Sequence, residues 1–259
     1  LDEKRSYNGK TPKAHYQLYY GNANYSLGRF ILLDVLFAEN PYPEVQQLPV
    51  KTHVLDTKPP YFQVIVPTTD SILGDKLTAF APNTTGIKYQ TGKEIEIIKQ
   101  LFDVSHLIDH CNDLRIVKQS FEQSAEEEIR FRKMDITTRA IAEDIFQTAY
   151  ILARRDKNKT EPEKSQFTEL QTGIKNITNY LINRNLRIDQ AIAAAAKTAW
   201  FVQLLMHNKP ELFVRYAENT QITDSTIENT AYNFINRFKR TNKEAFYYLY
   251  KCLEIKEML

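Results

Sequence analysis

The side chains best suited to chemistry lie in the first half of the chain. Lys76 belongs to a segment reading Gly-Asp-Lys-Leu-Thr-Ala, which is followed by a breaker-rich loop. After that loop, Lys99 and Asp103 are four residues apart in a predicted helix, where they would form an ion pair. An ammonium group suits a phosphate, and a carboxylate suits Mg²⁺. These residues predict phosphate chemistry, although each one also fits a solvated surface.

The same predicted helix carries His106 and His110, which are spaced so that both could bind one metal ion. The third ligand and the glutamate base of a zinc-protease helix are missing from this segment. The alternative is that both histidines are structural or lie at a contact between domains, and the sequence favours that alternative.

A further carboxylate, Asp34, stands inside the nearly all-apolar segment 29–37. An apolar run of this length, rich in β-prone residues, predicts a buried strand. An aspartate in a buried strand is costly unless it is paired, hydrogen-bonded or bound to a metal ion. The alternative is that Asp34 lies at the end of the strand and caps a loop.

The elements that must position these residues change class along the chain. The alternating and β-prone segments predict strands at 13–20, 29–37, 50–55 and 62–66, with a loose arm at 1–13, a turn at 21–24 and a helix at 72–80 capped by Asp70-Ser71. From residue 93 onward the apolar period is 3.6, which predicts helices at 93–109, 114–133, 137–154, 166–183, 188–206, 225–238 and 243–257, with a short one at 210–217. The pattern predicts an α+β protein with a sheet domain at 1–110 and a helical bundle at 111–259.

Composition sets limits on the class of protein. A chain of 259 residues with 42% apolar and 25% charged residues is typical of a soluble globular protein. Two cysteines make no disulfide framework, which fits a reducing cytoplasm. No apolar run reaches membrane-spanning length and no secretory signal is present, so we expect no membrane partner.

A net charge of +2 is too small to indicate nucleic-acid binding by itself, so local clusters must carry that argument. Basic residues do cluster in the helical part, at 130–133, at 154–159 and at 237–243, and tyrosines 247, 248 and 250 follow the last cluster. Such groups can hold RNA phosphates and bases. The alternative is a solvated face, because acidic residues are interspersed.

Three of these features resemble, in order and spacing, the AbiEii/AbiGii-type nucleotidyltransferase family. They are strand-borne Asp34, the segment at 72–79 that contains Lys76, and the segment at 99–103 that ends in Asp103. Members of that family are the toxins of type IV toxin–antitoxin systems, which give phage resistance by abortive infection. The resemblance covers roughly residues 14–110, and the later helices match only in kind.

The resemblance implies a nucleotidyltransferase-like (DNA polymerase β-like) mixed sheet, followed by an all-helical domain. It implies that Asp34 binds a metal ion, that Lys76 contacts nucleotide phosphates with Lys99 near it, and that Asp103 positions Lys76 or the nucleotide. The corresponding activity is Mg²⁺-dependent transfer of NMP from an NTP to an acceptor, for which RNA, in particular tRNA, is expected. A cognate antitoxin and a cytoplasmic location are implied as well.

Two departures from the family pattern qualify this expectation. Gln100 stands where the family has the first carboxylate of the later helix. The Gly-Ser turn and the Asp-x-Asp that complete a two-metal site are missing from the sequence, and we expect them in a segment before Leu1. The alternatives are a catalytically dead module that binds a protein or RNA partner, and a helical RNA-binding protein without catalysis.

Overall fold

The chain forms two small sheets and a set of packed helices in the computed structural model, which describes residues 12–20, 29–52, 56–181, 185–221 and 226–259. The strands are β1 (Lys13–Tyr20), β2 (Arg29–Leu36), β3 (Val45–Pro49) and β4 (Gln63–Pro67). Strand β1 pairs antiparallel with β2, and β3 pairs antiparallel with β4. The α+β class is confirmed, and within the described residues the strands form two separate pairs.

The helices follow the strands in the chain. They are α1 (Thr69–Ala79), α2 (Glu94–Asp109), α3 (Leu114–Arg132), α4 (Thr138–Arg154), α5 (Glu161–Asn176), α6 (Ile188–His207), α7 (Phe238–Thr241) and α8 (Lys243–Ile255). Turns of 3-10 helix lie at Arg155–Lys157, Ile177–Tyr180, Pro210–Leu212 and Asn233–Arg237. None of the helices in the described residues is both long enough and apolar enough to cross a membrane.

Capping residues explain where several helices begin. The Thr137 hydroxyl accepts a hydrogen bond from the Ala140 backbone N–H, so α4 starts where it was predicted. Helix α5 starts five residues earlier than predicted, because Thr160 and Glu163 form a capping box. Helix α5 also ends earlier than predicted, at Asn176.

Other predicted elements were wrong. The strand predicted at 50–55 lies instead at Val45–Pro49, and residues 53–55 are outside the described part of the chain. The long helix predicted at 225–238 is replaced in its described part by a 3-10 turn that begins at Asn233. The turn predicted at 21–24 and most of the predicted N-terminal arm also lie outside the described residues.

The start of α1 differs from the prediction in a way that matters for packing. Its capping residue is Thr68, whose hydroxyl accepts a hydrogen bond from the Ser71 N–H. The buried carboxylate of Asp70 instead accepts hydrogen bonds from the backbone N–H groups of Asn112 and Asp113, at 3.0 and 2.9 Å. Asp70 therefore ties the first turn of α1 to the start of α3.

A glycine allows α1 and α3 to approach closely. A Cβ atom at Gly74 would lie 2.6 Å from both the Phe121 nitrogen and the Val117 carbonyl oxygen. Beside this contact, the Ser120 hydroxyl donates to the Ser71 carbonyl oxygen at 2.6 Å. Because backbone atoms fill the space, only glycine fits at this crossing, two residues before Lys76.

One hydrophobic core joins the helices. Its buried residues run from Leu73 in α1 to Ile255 in α8, and it contains side chains of α2, α3, α4, α5 and α6. Helices α1 and α2 thus share a core with the helices beyond residue 110. The boundary between 1–110 and 111–259 stays a prediction.

The prediction that segment 29–37 is a buried strand was wrong. It forms β2 as expected, but its apolar side chains are exposed, for example Ile31 at 60% and Leu32 at 51%. Within the described residues, the buried core contains no side chain of any strand. A β-prone apolar run reports strand propensity, whereas burial depends on what packs against the strand.

Candidate functional site

Lys76 is at the centre of the candidate site. Its ammonium group donates hydrogen bonds to Gln100 Oε1 and to Asp103 Oδ2, both at 3.1 Å. Gln100 and Asp103 are three residues apart on α2, so they share the face that looks toward α1. The structure therefore brings together the two residues that the sequence predicted, and Gln100 joins them as a second acceptor for Lys76.

The core positions this cluster. Leu73 and Leu77 of α1 are fully buried on either side of Lys76 in the chain, as are Leu101 and Val104 beside Gln100 and Asp103. These apolar faces hold α1 against α2, while the polar side chains emerge at the edge of the contact. The geometry of the Lys76 cluster therefore depends on packing beneath it.

The cluster remains open to a ligand. The side chain of Lys76 is 32% exposed and that of Asp103 is 45% exposed. A lysine ammonium has three donors, and the described residues engage two of them, at Gln100 and Asp103. The third donor can meet a phosphate oxygen, while the two side chains hold the ammonium in place.

Asp75, the residue before Lys76, is fixed by a contact that the sequence did not reveal. The Tyr42 hydroxyl donates to Asp75 Oδ2 at 3.0 Å, which connects the segment before β3 to α1. Burial raises the pKa of Asp75, and burial together with the Asp75 charge raises the pKa of Tyr42. Both groups therefore favour their neutral forms more than the free side chains do.

A cavity of about 460 Å³ lies along α1 and the start of α2. It is lined by cations and carboxylates together with loop residues: Asp75, Thr78, Ala79, Thr85, Gly86, Ile87, Lys88, Thr91, Lys93, Glu96, Glu128 and Arg132. Arg132 is paired with Glu128 at 2.7 Å, and burial beside Arg132 lowers the pKa of Lys88. Asp75 lines this cavity, whereas Lys76, the next residue of α1, does not.

A buried aspartate of α4 holds the loop that forms one wall of this cavity. The Asp144 carboxylate accepts hydrogen bonds from the backbone N–H of Asn83 and of Thr84, each at 2.8 Å. It also accepts from the Asn83 amide at 2.7 Å and from the Thr84 hydroxyl at 2.8 Å. No sequence signal marked Asp144, because a single aspartate in a helix pattern resembles any surface residue.

Asp34 lies elsewhere, in the β1–β2 hairpin. Its carboxylate is 59% exposed and Oδ1 lies 2.8 Å from the Nδ1 atom of His15, its partner across the two strands. The aspartate is therefore neither buried nor at a strand end, so the predicted burial and the predicted loop cap were wrong, whereas a pairing partner is present as expected. Exposure removes the cost of an aspartate in this strand.

Lys99 does not form the predicted ion pair with Asp103. Its ammonium instead lies 5.2 Å from the centre of the Tyr180 ring, whereas Asp103 pairs with Lys76. Lys99 of α2 and Lys76 of α1 thus have different neighbours. The nucleotide-binding role of Lys99 stays a prediction.

His106 of α2 and His110, the residue that caps its end, do not form a metal site with other described side chains. Within the described residues, no group of three histidine, cysteine, aspartate or glutamate side chains is arranged to hold a metal ion. His106 Nδ1 lies 2.8 Å from the Phe102 carbonyl oxygen, and its ring packs on the Phe102 ring at 4.1 Å. The structural interpretation of His106 is the one that these contacts favour.

His106 also borders a second cavity, of about 420 Å³, between α2 and α6. In this cavity the ammonium of Lys197, which is 6% exposed, contacts both oxygens of Asp109 at 2.7 and 2.8 Å. Burial raises the pKa of Glu244, which lines the same cavity. Lys197 is buried whereas Asp109 is half-exposed, and a lysine inside an alanine-rich helix is the sequence signal that could have indicated this pair.

Comparison with protein-family models shows to which family the chain belongs. Residues 2–175 match the family model described as nucleotidyl transferase AbiEii toxin, type IV TA system. The chain belongs to the AbiEii family. The resemblance inferred from Asp34, Lys76 and Asp103 is thereby confirmed, and all three residues lie inside the matched range.

The AbiEii match places the candidate site within the part of the chain that defines the family. It spans the strands, α1 to α4 and nearly all of α5, whereas α6, α7 and α8 lie outside it. No curated protein and no solved structure matches the chain. The comparisons therefore support a nucleotidyl transferase toxin of a type IV system, without identifying a substrate.

Proposed function

We propose that this AbiEii protein transfers NMP from an NTP to a hydroxyl group of an RNA, with tRNA as the expected acceptor. The acceptor oxygen would attack the α-phosphorus while the bond to pyrophosphate breaks. Such reactions depend on positioned charges that offset the negative charge of the phosphates. The observation that supports the proposal is the partly exposed Lys76 ammonium, held by Gln100 and Asp103 with a donor to spare.

In this proposal Lys76 binds phosphate oxygens, and Asp103 with Gln100 positions Lys76. Lys99 contributes positive charge from α2, the helix that carries Gln100 and Asp103. The AbiEii toxin family supports a cognate antitoxin as the protein partner. Location in the cytoplasm is part of the proposal, because NTPs and RNA are found there.

Mg²⁺ is proposed as the cofactor, with Asp34 as one of its ligands. Two-metal transfer needs several carboxylates that share both ions. The described residues do not supply them, since Asp34 pairs with His15 and no group of three ligands is present among these residues. This observation favours, as the second candidate, a module that binds an RNA or protein partner without catalysis.

The experiment is nucleotide labelling of RNA. The protein is incubated with each α-labelled NTP, Mg²⁺ and total tRNA, and compared with Lys76→Gln and with Lys118→Gln as control. Lys118 is similarly exposed and pairs with Glu122 on α3, at 4.0 Å. Removing a phosphate-binding charge is expected to reduce transfer by about 100-fold or more, with Lys118→Gln like wild type.

Equal labelling by wild type and Lys76→Gln would contradict the role of Lys76. Absence of labelling by wild-type protein with every NTP would contradict the enzymatic proposal and favour the binding module. The Asp34→Ala variant tests the metal ligand, because it should lose transfer while its free energy of unfolding stays near that of wild type.

A further inference from the structure

Two basic segments that are far apart in the sequence meet on one surface. The first is the end of α4 with its 3-10 turn, and the second runs from the last 3-10 turn into α8. Arg237 Nη2 donates to the Ala153 carbonyl oxygen at 2.7 Å, across 84 residues of sequence. The eight cations of these segments, here called the basic surface, are Arg154, Arg155, Lys157, Lys159, Arg237, Lys239, Arg240 and Lys243.

A second connection fixes the two segments against the start of α6. Arg155 forms an ion pair with the Asp189 carboxylate, and the Asn242 amide donates to the Asp189 carbonyl oxygen at 2.8 Å. Asn242 is the capping residue of α8, and its side chain also accepts from the Ala245 N–H. The basic surface is thus built on the ends of three helices.

The inner arginines of the basic surface are held by aromatic rings. The guanidinium groups of Arg154 and Arg237 lie 5.9 and 5.7 Å from the centre of the Phe234 ring. Arg154 is also paired with Glu163 at 3.5 Å. Burial and the nearby Arg155 charge lower the pKa of Arg237. These arginines stiffen the surface and concentrate positive charge on it.

Four other cations lie at the exposed edge of the basic surface. Lys157, Lys159, Arg240 and Lys243 are all exposed, and none of them forms an ion pair with another described residue. Asp156, Glu163 and Asp189 lie beside these cations, and Glu161 and Glu244 adjoin the two segments in the chain. Glu163 and Asp189 are already paired with arginines of the surface, and Glu161 is paired with Lys164. Positive charge therefore exceeds negative charge here, in a chain whose net charge is only +2.

We propose that the basic surface binds the phosphate backbone of an RNA, and the assignment of that RNA as the acceptor rests on the proposed function. Long, exposed Lys and Arg side chains on an open surface suit successive phosphates, which they neutralise with release of counterions. The core of a protein–protein interface is instead depleted of charge and rich in aromatic anchors. Here the Phe234 ring is in contact with the guanidinium groups of Arg154 and Arg237, so it does not serve as such an anchor. The segment at 237–243 lies beyond the residues matched by the AbiEii model.

The test compares two fourfold variants of the whole chain that carry the same net charge. The first replaces Lys157, Lys159, Arg240 and Lys243 by Gln. The control replaces Lys51, Lys58, Lys175 and Lys209 by Gln; these four lysines are also exposed, and they lie outside the basic surface and outside the basic cluster at 130–133. Binding of fluorescent unfractionated tRNA is measured over a range of salt concentrations, and circular dichroism checks that both variants remain folded.

The basic-surface variant should bind tRNA about tenfold or more weakly, and the slope of log affinity against log salt should fall by about 3, since each lost phosphate contact removes about 0.7 to 0.9. The control should bind like wild type. Two half-variants, Lys157→Gln with Lys159→Gln and Arg240→Gln with Lys243→Gln, should each lose about half of that slope change. Equal binding by the two fourfold variants would overturn the proposal.

Two further measurements distinguish failure of the RNA-binding proposal from failure of the proposed function. Lys76→Gln should keep wild-type tRNA binding while it loses transfer, so failure of transfer in an RNA-binding protein counts against the proposed function alone. Poly-glutamate tests for an acidic protein partner. If wild type binds poly-glutamate as tightly as tRNA at equal salt, and the basic-surface variant loses both together, the RNA assignment is overturned.

Discussion

Lys76 and Asp103 face each other at 3.1 Å across two helices, although they are 27 residues apart in the sequence. The pair is formed by tertiary packing of α1 on α2 and not by the local helical spacing that would have joined Lys99 to Asp103. Its position at the surface suggests a role in holding a charge in place more than a role in stability.

A double-mutant cycle distinguishes these roles. Lys76→Met, Asp103→Asn and the double variant are compared by urea unfolding and by NMP transfer. Because both side chains are partly exposed, the coupling free energy for unfolding should be under about 1 kcal/mol. If Asp103 acts by positioning Lys76, Asp103→Asn should reduce transfer in the wild-type background and cause no further loss after Lys76→Met.

A matched cycle on Lys118 and Glu122, an ion pair on α3, is the control and should leave transfer unchanged. Additive losses of transfer at Lys76 and Asp103 would show instead that Asp103 contacts the nucleotide by itself.

The loop next to the 460 Å³ cavity should depend on Asp144. Asp144→Ala removes the acceptor of four hydrogen bonds that Asn83 and Thr84 donate, and of the two backbone N–H groups only that of Thr84 keeps another acceptor, the Ala81 carbonyl oxygen at 3.0 Å. We expect the free energy of unfolding to fall by about 3 kcal/mol or more in urea titrations. Gln147→Ala, at an exposed position on the same helix, should change it by no more than about 0.5 kcal/mol. A loss below 1 kcal/mol for Asp144→Ala would mean that the loop is held by other contacts.

Glu244 should make stability depend on pH. Burial is the main cause that raises the pKa of Glu244 in the folded protein, with Asp109 adding to it and Lys197 opposing it. A carboxyl whose folded pKa is higher than its unfolded pKa binds protons more tightly when folded, so its contribution to stability decreases as pH rises through the folded pKa. Glu244→Gln should therefore stabilise the protein more, relative to wild type, at pH 7 than at pH 4.

Urea unfolding at the two pH values measures this difference. Glu126→Gln, at an exposed position in the middle of α3, is the control, and its effect should be similar at both pH values. A difference between Glu244→Gln and wild type that grows as the pH is lowered would have the wrong sign and would contradict the assignment.

The sequence predicted helices best where local signals decide. The Thr137 cap and the 3.6 periodicity located α4, and the spacing of apolar residues located α2. The pairing of Lys76 with the α2 helix followed from the family resemblance, and the structure brings these residues together. Local patterns could not predict contacts between residues that are far apart in the sequence. Examples are the contact of Tyr42 with Asp75 and that of Asp144 with the loop that contains Asn83.

Burial was the weakest part of the sequence prediction. The apolar run of β2 has the composition of an interior strand, yet its described side chains lie at the surface. The composition of a segment indicates its tendency to be buried. Whether another element packs over that segment depends on the rest of the fold. For the same reason, Lys99 was assigned a neighbour four residues away although its recorded contact is a tyrosine of a later turn.

Among the described residues the core begins at Leu73, and this has a consequence for how the protein exchanges its amide hydrogens. The amides of β1 and β2 should exchange with deuterium through local opening, whereas those of α4 and α6 should exchange only when the whole core opens. Substitutions in the hairpin, including those at Asp34, should then leave the slowest exchange rates unchanged. Sequence changes in the hairpin should therefore carry little penalty in global stability.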